Sequence, residues 1–349
     1  MKTTMKTKLL SAALTAAALS VTPIANAEVK VTTKGGLKVE SEDFSFQLGG
    51  RIQYDYNYAE LNSDVQENDF DLRRGRLFVK GNVTDDWHYK VNFDVDGGGE
   101  QDLYLRYTGF GPLANITIGN QHQAFTLEQL ISSKDLSISE RSGVTERYLI
   151  GRRESIQIHG DADNFHYAAN IFTEDGENED TGFSSRVAYA PFKGNGTLLH
   201  LGASYKDTQE QDAFGLELAG VAGPAHFQAE YFSADETNEE TGIEDDIDGY
   251  YAQVGYFITG EIRPYKKGTF KRIKPSNPFG AWEVVARYSD GDGDYGDIEL
   301  GATDASVIAL GVNYYPSYNV RINASYMDGE SNITDDDGSE FRVRFQVAF

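Results

Sequence analysis

Glu340-Phe-Arg-Val-Arg-Phe-Gln-Val-Ala-Phe349, the last ten residues of the chain, is the stretch that decides the fold. Successive side chains of a β-strand point to opposite faces, so odd and even positions separate here. One face then carries only apolar residues, and the other carries two arginines and a glutamine. These are Phe341, Val343, Phe345, Val347 and Phe349 on the first face, and Arg342, Arg344 and Gln346 on the second. A strand of this kind separates an apolar medium from water.

The same alternation recurs along the whole chain, in segments of about ten residues separated by Gly, Asn, Asp and Pro clusters. We count sixteen candidate strands. They lie near residues 44–58, 69–82, 86–95, 101–109, 114–120, 149–160, 163–173, 183–191, 197–206, 213–221, 224–233, 248–258, 280–289, 305–315, 318–327 and 339–349. An even number of strands of this length is typical of a bacterial outer-membrane barrel.

The connections between these strands alternate in length. They are short after strands 2, 4, 6, 8, 10 and 14: residues 81–85, 111–113, 161–162, 193–196, 221–223 and 317. After the odd strands they are mostly longer and acidic, as at 60–69, 174–182, 235–246, 291–304 and 328–338. Short periplasmic turns and longer outer loops are typical of a membrane barrel. The sequence therefore predicts an all-β, 16-stranded antiparallel transmembrane β-barrel.

The N-terminus has the pattern of a cleaved secretory signal, residues 1–27. Lys2, Lys6 and Lys8 precede an apolar run, and Ala25-Asn26-Ala27 is a small-x-small cleavage site. No later stretch reaches the ~20 apolar residues of a spanning helix. The chain has no Cys, which excludes a disulfide scaffold and thiolate metal sites. We predict an N-terminal periplasmic lead-in at 28–43, and a single barrel domain at 44–349 in the bacterial outer membrane.

Charge is distributed unevenly between the predicted lumen and the rest of the chain. The formal net charge is −24, which argues against nucleic acid as a partner. If apolar side chains face lipid, however, thirteen basic side chains face the lumen. These are Arg51, Arg74, Arg76, Lys80, Lys90, Arg106, Arg153, Arg186, Lys206, Arg287, Arg321, Arg342 and Arg344. Only seven acids share that face: Asp55, Asp94, Asp102, Glu217, Glu230, Glu283 and Glu340.

A surplus of basic groups in a pore attracts anions, so we expect passive diffusion of small anions. Arg also matches phosphate oxygens with two parallel hydrogen bonds. Two alternatives stay open for this pore. The basic groups could merely pair with the inward acids, or the acidic outer loops could make it a general or cation-preferring porin. A soluble carbohydrate-binding β protein is a further alternative, of another class.

Two long connections stand out. Residues 121–148 mix charges with Phe125, Leu127, Leu130 and Ile131 and form the longest loop, after the fifth strand. We predict that it folds into the barrel, with a short helix at 126–132, so that Lys134, Arg141 and Arg147 reach the lumen. An outer lid is the alternative.

The second long connection is the basic connection, residues 259–279, which has six basic residues and one acid on the periplasmic side. It could be an electropositive sink or simply solvated surface.

Several segments together resemble the phosphate-selective porin O and P family. They are Asp71-Leu-Arg-Arg-Gly-Arg-Leu-Phe-Val79, Asp86-Trp-His-Tyr-Lys90, Leu127-Glu-Gln-Leu-Ile-Ser-Ser-Lys134, Glu140-Arg-Ser142, Gly260-Glu-Ile-Arg-Pro-Tyr-Lys-Lys267 and Gly280-Ala-Trp-Glu-Val-Val-Ala-Arg-Tyr288. The terminal Phe also looks like the assembly signal of outer-membrane proteins.

This resemblance implies a trimeric sixteen-stranded barrel with an arginine ladder, and phosphate bound by lysines at a constriction. Arg73, Arg74 and Arg76 would belong to the ladder, and Lys134 to the constriction. Alternation alone places Arg73 outward, and a β-bulge beside it would reconcile the two. The expected partners are small anions, outer-membrane lipid, lipopolysaccharide and two further copies of the chain.

An enzyme is not expected. The six histidines are scattered, and no Ser, His and acid spacing marks out a catalytic site. We predict no catalytic residues, no metal site and no cofactor.

Overall fold

The computed structural model describes residues 29–33, 36–97, 99–174, 180–237, 244–292, 304–331 and 336–349. Sixteen antiparallel strands close into one barrel, which confirms the predicted fold. Numbered along the chain, strands 1 to 16 are Ser45–Leu61, Asp64–Asn82, Trp87–Asp94, Gly99–Tyr107, Asn115–His122, Arg152–Ala162, Phe165–Thr173, Thr181–Gly194, Thr197–Asp207, Gln211–Ala222, Ala225–Thr237, Glu244–Phe257, Ala281–Asp292, Asp304–Ser317, Val320–Ser331 and Asp337–Ala348.

The last strand closes the barrel against the first. Strand 16 pairs with strand 1 from Gly338 opposite Leu61 to Ala348 opposite Arg51. Beyond that register, the backbones of Gly50 and Phe349 exchange two hydrogen bonds of 2.8 and 2.9 Å. Closure leaves no open edge between strands 1 and 16, as a sheet in lipid requires.

The chain before strand 1 forms a hairpin of Lys30–Thr32 and Leu37–Glu40. Its second strand pairs with Ser45–Leu48, the part of strand 1 that lies below the end of strand 16. The lead-in predicted at 28–43 is therefore built into the sheet, while its periplasmic location stays a prediction. The predicted signal, residues 1–27, lies outside the described residues.

The other elements are short. Helix α1 spans Leu127–Leu130, helix α2 spans Gly143–Tyr148, and a small hairpin pairs Tyr265–Lys266 with Thr269–Phe270. No helix in the described ranges is long and apolar enough to cross a bilayer.

The two faces of the wall separate as the alternation predicts. On strand 1, Ile52 and Tyr54 are 45% and 40% exposed on the outer surface, whereas Gln53 and Asp55, which alternate with them, are fully buried on the inner one. Charged side chains in the middle of the strands therefore point into the lumen.

One predicted outer loop is wrong. Residues 60–69 continue strands 1 and 2, with Leu61 paired to Asp64 across a two-residue turn. Asn62 and Ser63 in that turn both have positive φ, 51° and 69°, which suits the twist of a tight hairpin. The predicted loops at 174–182, 235–246, 291–304 and 328–338 lie partly outside the described residues.

On strands 7 to 15, apolar side chains lie on the inner face as well as on the outer one. Their inner face carries apolar residues that pack against chain inside the barrel. Examples are Phe172, Ala219, Phe232, Phe257 and Met327. They meet Phe125, Leu127, Ile131, Leu136 and Ile138 of the inward loop, and Phe270 and Ile273 of the basic connection. The barrel thus has an apolar core in one half of its lumen.

Strand parity can be tested at Leu216, which lies near the middle of strand 10 and is 46% exposed on the outer face. We expect Leu216→Arg to lower the free energy of unfolding in lipid vesicles by about 2–4 kcal/mol, because the new charge sits in the bilayer. Urea titration measures this, with Leu216→Met as the control. An arginine variant as stable as the control would place this position away from lipid.

Candidate functional site: the lumen and its constriction

The inward loop, residues 123–151, enters the lumen after strand 5 and is pinned to the opposite wall. Glu230 of strand 11 accepts hydrogen bonds from the backbone N–H groups of Leu127 and Glu128, at 2.6 and 2.8 Å. The Thr126 hydroxyl caps α1 through Gln129 N. The predicted helix and inward course of this loop are confirmed, and Leu127 and Phe125 are fully buried.

Glu128 joins the two helices of the inward loop. Its carboxylate accepts hydrogen bonds from the backbone N–H and the hydroxyl of Ser142, both at 3.0 Å, and from the hydroxyl of Thr145 at 2.7 Å. Its second oxygen lies 3.3 Å from the Arg287 guanidinium on strand 13. A buried carboxylate with this many donors is a fixed anchor.

Glu140 is a second anchor, on the wall formed by strands 2 and 16. Arg74 donates to both of its oxygens at 2.8 and 2.7 Å, and Arg73 donates at 3.1 Å. Arg342 and Arg344 also form ion pairs with it. Burial alone would raise the pKa of Glu140, but Arg344 and Arg74 outweigh burial and hold that pKa well below its usual range.

The bulge that would bring Arg73 inward is present. Gln53 pairs with Arg74, and the next residue, Tyr54, pairs with Leu72, so Arg73 has no partner in the register. The extra residue turns the Arg73 side chain toward Glu140 while leaving it 42% exposed.

The basic connection also enters the lumen, from the periplasmic side. Phe270 is fully buried in the cluster that holds Leu127 and Ile131 of the inward loop. The small hairpin of the basic connection turns at Lys267 and Gly268, both with positive φ, and reaches the wall of strands 6 and 8. There Lys267 pairs with Asp161 at 3.0 Å, and Arg186 donates to the Gly268 carbonyl at 2.9 Å. The two inward segments together fill the half of the lumen along strands 7 to 15.

The remaining space follows the wall of strands 1 to 6. A cavity of about 570 Å³ is lined there by ten basic residues and only two acids. The basic residues are Arg51, Arg74, Arg76, Lys80, Lys90, Lys134, Arg141, Arg152, Lys271 and Arg272, and the acids are Asp102 and Asp135. Two smaller cavities of about 250 and 420 Å³ share Lys90, Tyr104, Arg106, His159 and Lys267. Lys90 lines all three cavities.

Side chains of like charge lie directly opposite each other on adjacent strands of this wall. Arg51 is opposite Arg76, and Lys80 is opposite Lys90, in the register of strands 1 to 3. Directly opposed like charges destabilise a sheet. Arg76 and Lys90 are each compensated by a carboxylate at 2.7 Å, Asp94 and Asp102 respectively.

Arg51 and Lys80 form no ion pair within the described part of the chain. Arg51 is buried, its Nε atom lacks a hydrogen-bond partner there, and its nearest polar contact is the Ser132 hydroxyl at 3.5 Å. Lys80 lies over the Phe78 ring at 5.3 Å. These two side chains leave uncompensated positive charge on the surface of the 570 Å³ cavity.

The other predicted pore residues divide into two groups. Arg106 and Arg186 line the 250 Å³ cavity, although Arg186 also makes a buried two-point ion pair with Glu217. Six others line none of the three cavities: Arg73, Arg153, Arg287, Arg321, Arg342 and Arg344.

These six residues stay predictions as pore-lining residues, and the structure shows what several of them contact. Arg287, Arg321 and Arg344 donate to backbone carbonyls of the inward loop, at Glu140, Leu136 and Ser139 respectively. These hydrogen bonds hold the inward loop against the wall. Arg147 pairs with Glu236 and does not line the 570 Å³ cavity.

The predicted pore-lining residues lack three that line this cavity, Arg152, Lys271 and Arg272, although the last two belong to the basic connection, the possible electropositive sink. They also include none of the three acids of the inward loop, Glu128, Asp135 and Glu140. Arg152 begins strand 6 directly after Gly151, which has φ 77°, so strand parity does not yet apply to it. It pairs with Asp102 at 2.9 Å. Loop residues have no parity at all. The one available signal was the basic run Lys271-Arg272 itself.

Comparison with known proteins adds to this geometry. The family model described as "Phosphate-selective porin O and P" matches residues 46–213 and 206–349. The chain is 30% identical to Porin O of Pseudomonas aeruginosa over 93% of each protein. The chain belongs to the porin O and P family.

Solved porins share the fold of this porin. OmpT of Vibrio cholerae has a TM-score of 0.59 at 13% identity and covers 88% of this chain and 98% of its own. An anion-selective porin from Comamonas acidovorans has the same TM-score at 12% identity and covers 88% of this chain and all of its own. Together with the family, the barrel shows an outer-membrane porin, a channel and not an enzyme.

The anchoring role of Glu128 predicts a loose constriction when it is removed. We expect Glu128→Ala to give larger and noisier single-channel currents, because Ser142, Thr145 and Arg287 lose the carboxylate that joins them while the barrel itself stays closed. Planar-bilayer recording measures this.

Glu146→Ala is the matched control, since Glu146 lies on the same loop and is 37% exposed in its pair with Arg141. Quiet, unchanged currents in Glu128→Ala would contradict the anchor.

Proposed function

We propose that this porin passes small anions, with phosphate or a related oxyanion as the preferred species. The observation that carries the proposal is the uncompensated Arg51, buried at the wall of a cavity with ten basic and two acidic residues. The family description names phosphate selectivity, and this chain has the arginine and lysine donors that such selectivity needs.

The donors at the constriction suit an oxyanion. Arg51, Arg74 and Arg76 come from strands 1 and 2, and Lys134 with the hydroxyls of Ser132 and Ser133 comes from the inward loop. Guanidinium and ammonium groups make short, charge-assisted hydrogen bonds to phosphate oxygens. Since the cavity surface is flanked by buried apolar chain, these bonds are screened less than they would be in bulk water.

A general or cation-preferring porin remains the second candidate, because acids line the outer ends of the strands. Asp207, Asp212, Asp235 and Asp246 lie directly opposite one another across strands 9 to 12, all exposed. This row would raise the local cation concentration. Salt screens exposed charges beyond a Debye length of ~8 Å, so the constriction outweighs it in our proposal.

We also propose the assembly that accompanies this function. Residues 1–27 are a cleaved export signal and 28–43 a periplasmic lead-in, and three copies form a homotrimer in contact with lipopolysaccharide. A trimer form is described for OmpT of Vibrio cholerae, a porin of the same fold. Size measurement of the protein extracted from outer membranes tests the trimer directly.

Ion selectivity is tested by reconstitution in a planar bilayer under a KCl gradient. We expect a reversal potential of anion sign, because chloride meets the basic cavity and potassium is repelled. Millimolar phosphate added to one side should reduce the chloride current. A potential of cation sign would support the second candidate and remove the proposal.

The role of Arg51 is tested by Arg51→Gln, which keeps a hydrogen-bonding side chain and removes the charge. We expect phosphate to block at least about tenfold more weakly, the value of one charge-assisted hydrogen bond of about 1.4 kcal/mol. Lys193→Gln is the control, because Lys193 lies at the end of strand 8 and, within the described residues, donates one hydrogen bond, to the Asp163 carbonyl. Equal block in the two variants would remove Arg51 from the site.

A further inference from the structure

The two inward segments meet at one charged contact, between Asp135 and two basic residues. Lys134 Nζ lies 2.8 and 2.7 Å from the two carboxylate oxygens of Asp135. Arg272 of the basic connection donates its Nε to the same carboxylate at 3.3 Å. Asp135 and Arg272 are almost fully buried, with 4% and 7% of their side chains exposed, whereas about a third of Lys134 is exposed, toward the cavity.

Arg272 is fixed by contacts other than Asp135. Its Nη1 donates to the carbonyls of Tyr318 and Ala348 at 3.0 and 3.4 Å, and its guanidinium lies 5.4 Å from the centre of the Tyr318 ring. The neighbouring Phe270 is packed among Leu127 and Ile131 of the inward loop. The basic connection therefore presents Arg272 to Asp135 in a set position.

A lone Lys–Asp pair would be electrically neutral and a poor attractor for an anion. With Arg272 present, the group of three carries one net positive charge, and Lys134 is its exposed member. We propose that Arg272 is a positioning residue which balances Asp135 from the periplasmic side, so that the Lys134 ammonium stays available to a passing oxyanion. This inference deepens the proposed function and rests on it.

The charged groups around Lys134 come from three elements. Asp135 belongs to its own loop, Arg51 to strand 1, and Lys271 and Arg272 to the basic connection. Burial lowers the pKa of Lys134 to about 8; Asp135 opposes this shift, while Arg272 and Arg51 add to it. Because Lys134 loses its charge as the pH rises through about 8, anion block of the wild type should weaken between pH 7 and 9.

The experiment compares wild type, Arg272→Gln, Asp135→Asn and the double variant in planar bilayers. The probe is sulfate block of the chloride current, because sulfate keeps its charge over this pH range. We expect Arg272→Gln to weaken the block about tenfold, since Asp135 then neutralises Lys134. In the double variant Lys134 has no carboxylate partner. Because Asp135 also raises the pKa of Lys134, the comparison is made at pH 6, where block should return to within about threefold of wild type. Lys274→Gln is the matched control, an exposed lysine two residues along that lines none of the three cavities.

The pH profile supplies a second measure. In Arg272→Gln the midpoint of the loss of block should move above that of the wild type, because a cation that lowers the pKa of Lys134 has gone. A role in loop packing alone would increase the current noise without moving this midpoint.

Three results would overturn the inference. One is that Arg272→Gln weakens block equally in the wild type and in Asp135→Asn. Arg272 and Asp135 would then act on the anion independently of each other. Another is noisier current with block and midpoint unchanged. The third is a wild type with a cation-signed reversal potential, which would remove the proposed function as well. An anion-signed wild type with an unaffected Arg272→Gln removes this inference alone.

Discussion

Closure of the sheet is the constraint on which the other features of this porin depend. Lipid offers no partners for backbone N–H and C=O groups, so the sheet must close, and here Gly50 and Phe349 complete the ring. A closed sheet has only two faces. Apolar side chains take the outer one, and charged side chains in the middle of a strand have only the lumen left to them. A chain with a formal charge of −24 thereby acquires a pore with a strongly basic wall.

The inward segments then sort these lumen charges into two kinds. On the side of strands 7 to 15, and where strand 16 meets the inward loop, arginines are paired with carboxylates or with backbone carbonyls. Arg186 with Glu217 and Arg344 with Asp55 are examples. Such groups hold the loop, and their charge is compensated on the spot. On the side of strands 1 to 6, Arg51 and Lys80 have no such partner in the described structure, so no ion pair compensates their charge.

Much of the fold followed from the sequence because strand parity and turn chemistry are local. The sixteen strands, the closing strand at 337–348 and the inward course of the loop after strand 5 were all predictable from alternation, loop length and composition. The hairpin at Asn62 and Ser63 was missed, because polar residues on both faces of a strand beyond the membrane look like a loop.

The candidate site was predictable only in part, because parity gives direction and not partners. Alternation predicted that Arg287 and Arg344 face the lumen, but it could not predict that they donate hydrogen bonds to the inward loop. Their partners, Glu128 and Glu140, lie in a segment without strand periodicity. Phe172 and Phe232 show a related limit. Strands 7 and 11 carry apolar residues on both faces. This pattern is typical of a strand that is buried on both sides, here by lipid outside and by the inward segments inside. That pattern was readable as a sign that chain fills half of the lumen.

Selectivity in this porin is therefore a question of which charges are left over, and not of how many there are. The acids Glu128, Asp135 and Glu140, which enter the lumen with the inward loop, compensate part of the predicted surplus of thirteen basic over seven acidic wall residues. If compensation were uniform, the attraction for anions would be weakened along the whole wall. It is not uniform, because each of these acids is buried against particular arginines. The electric fields of the two charges in a buried ion pair nearly cancel at a distance. The field of a buried arginine without a partner is not cancelled in this way. A few uncompensated side chains on one wall are thus enough to set the sign of the pore.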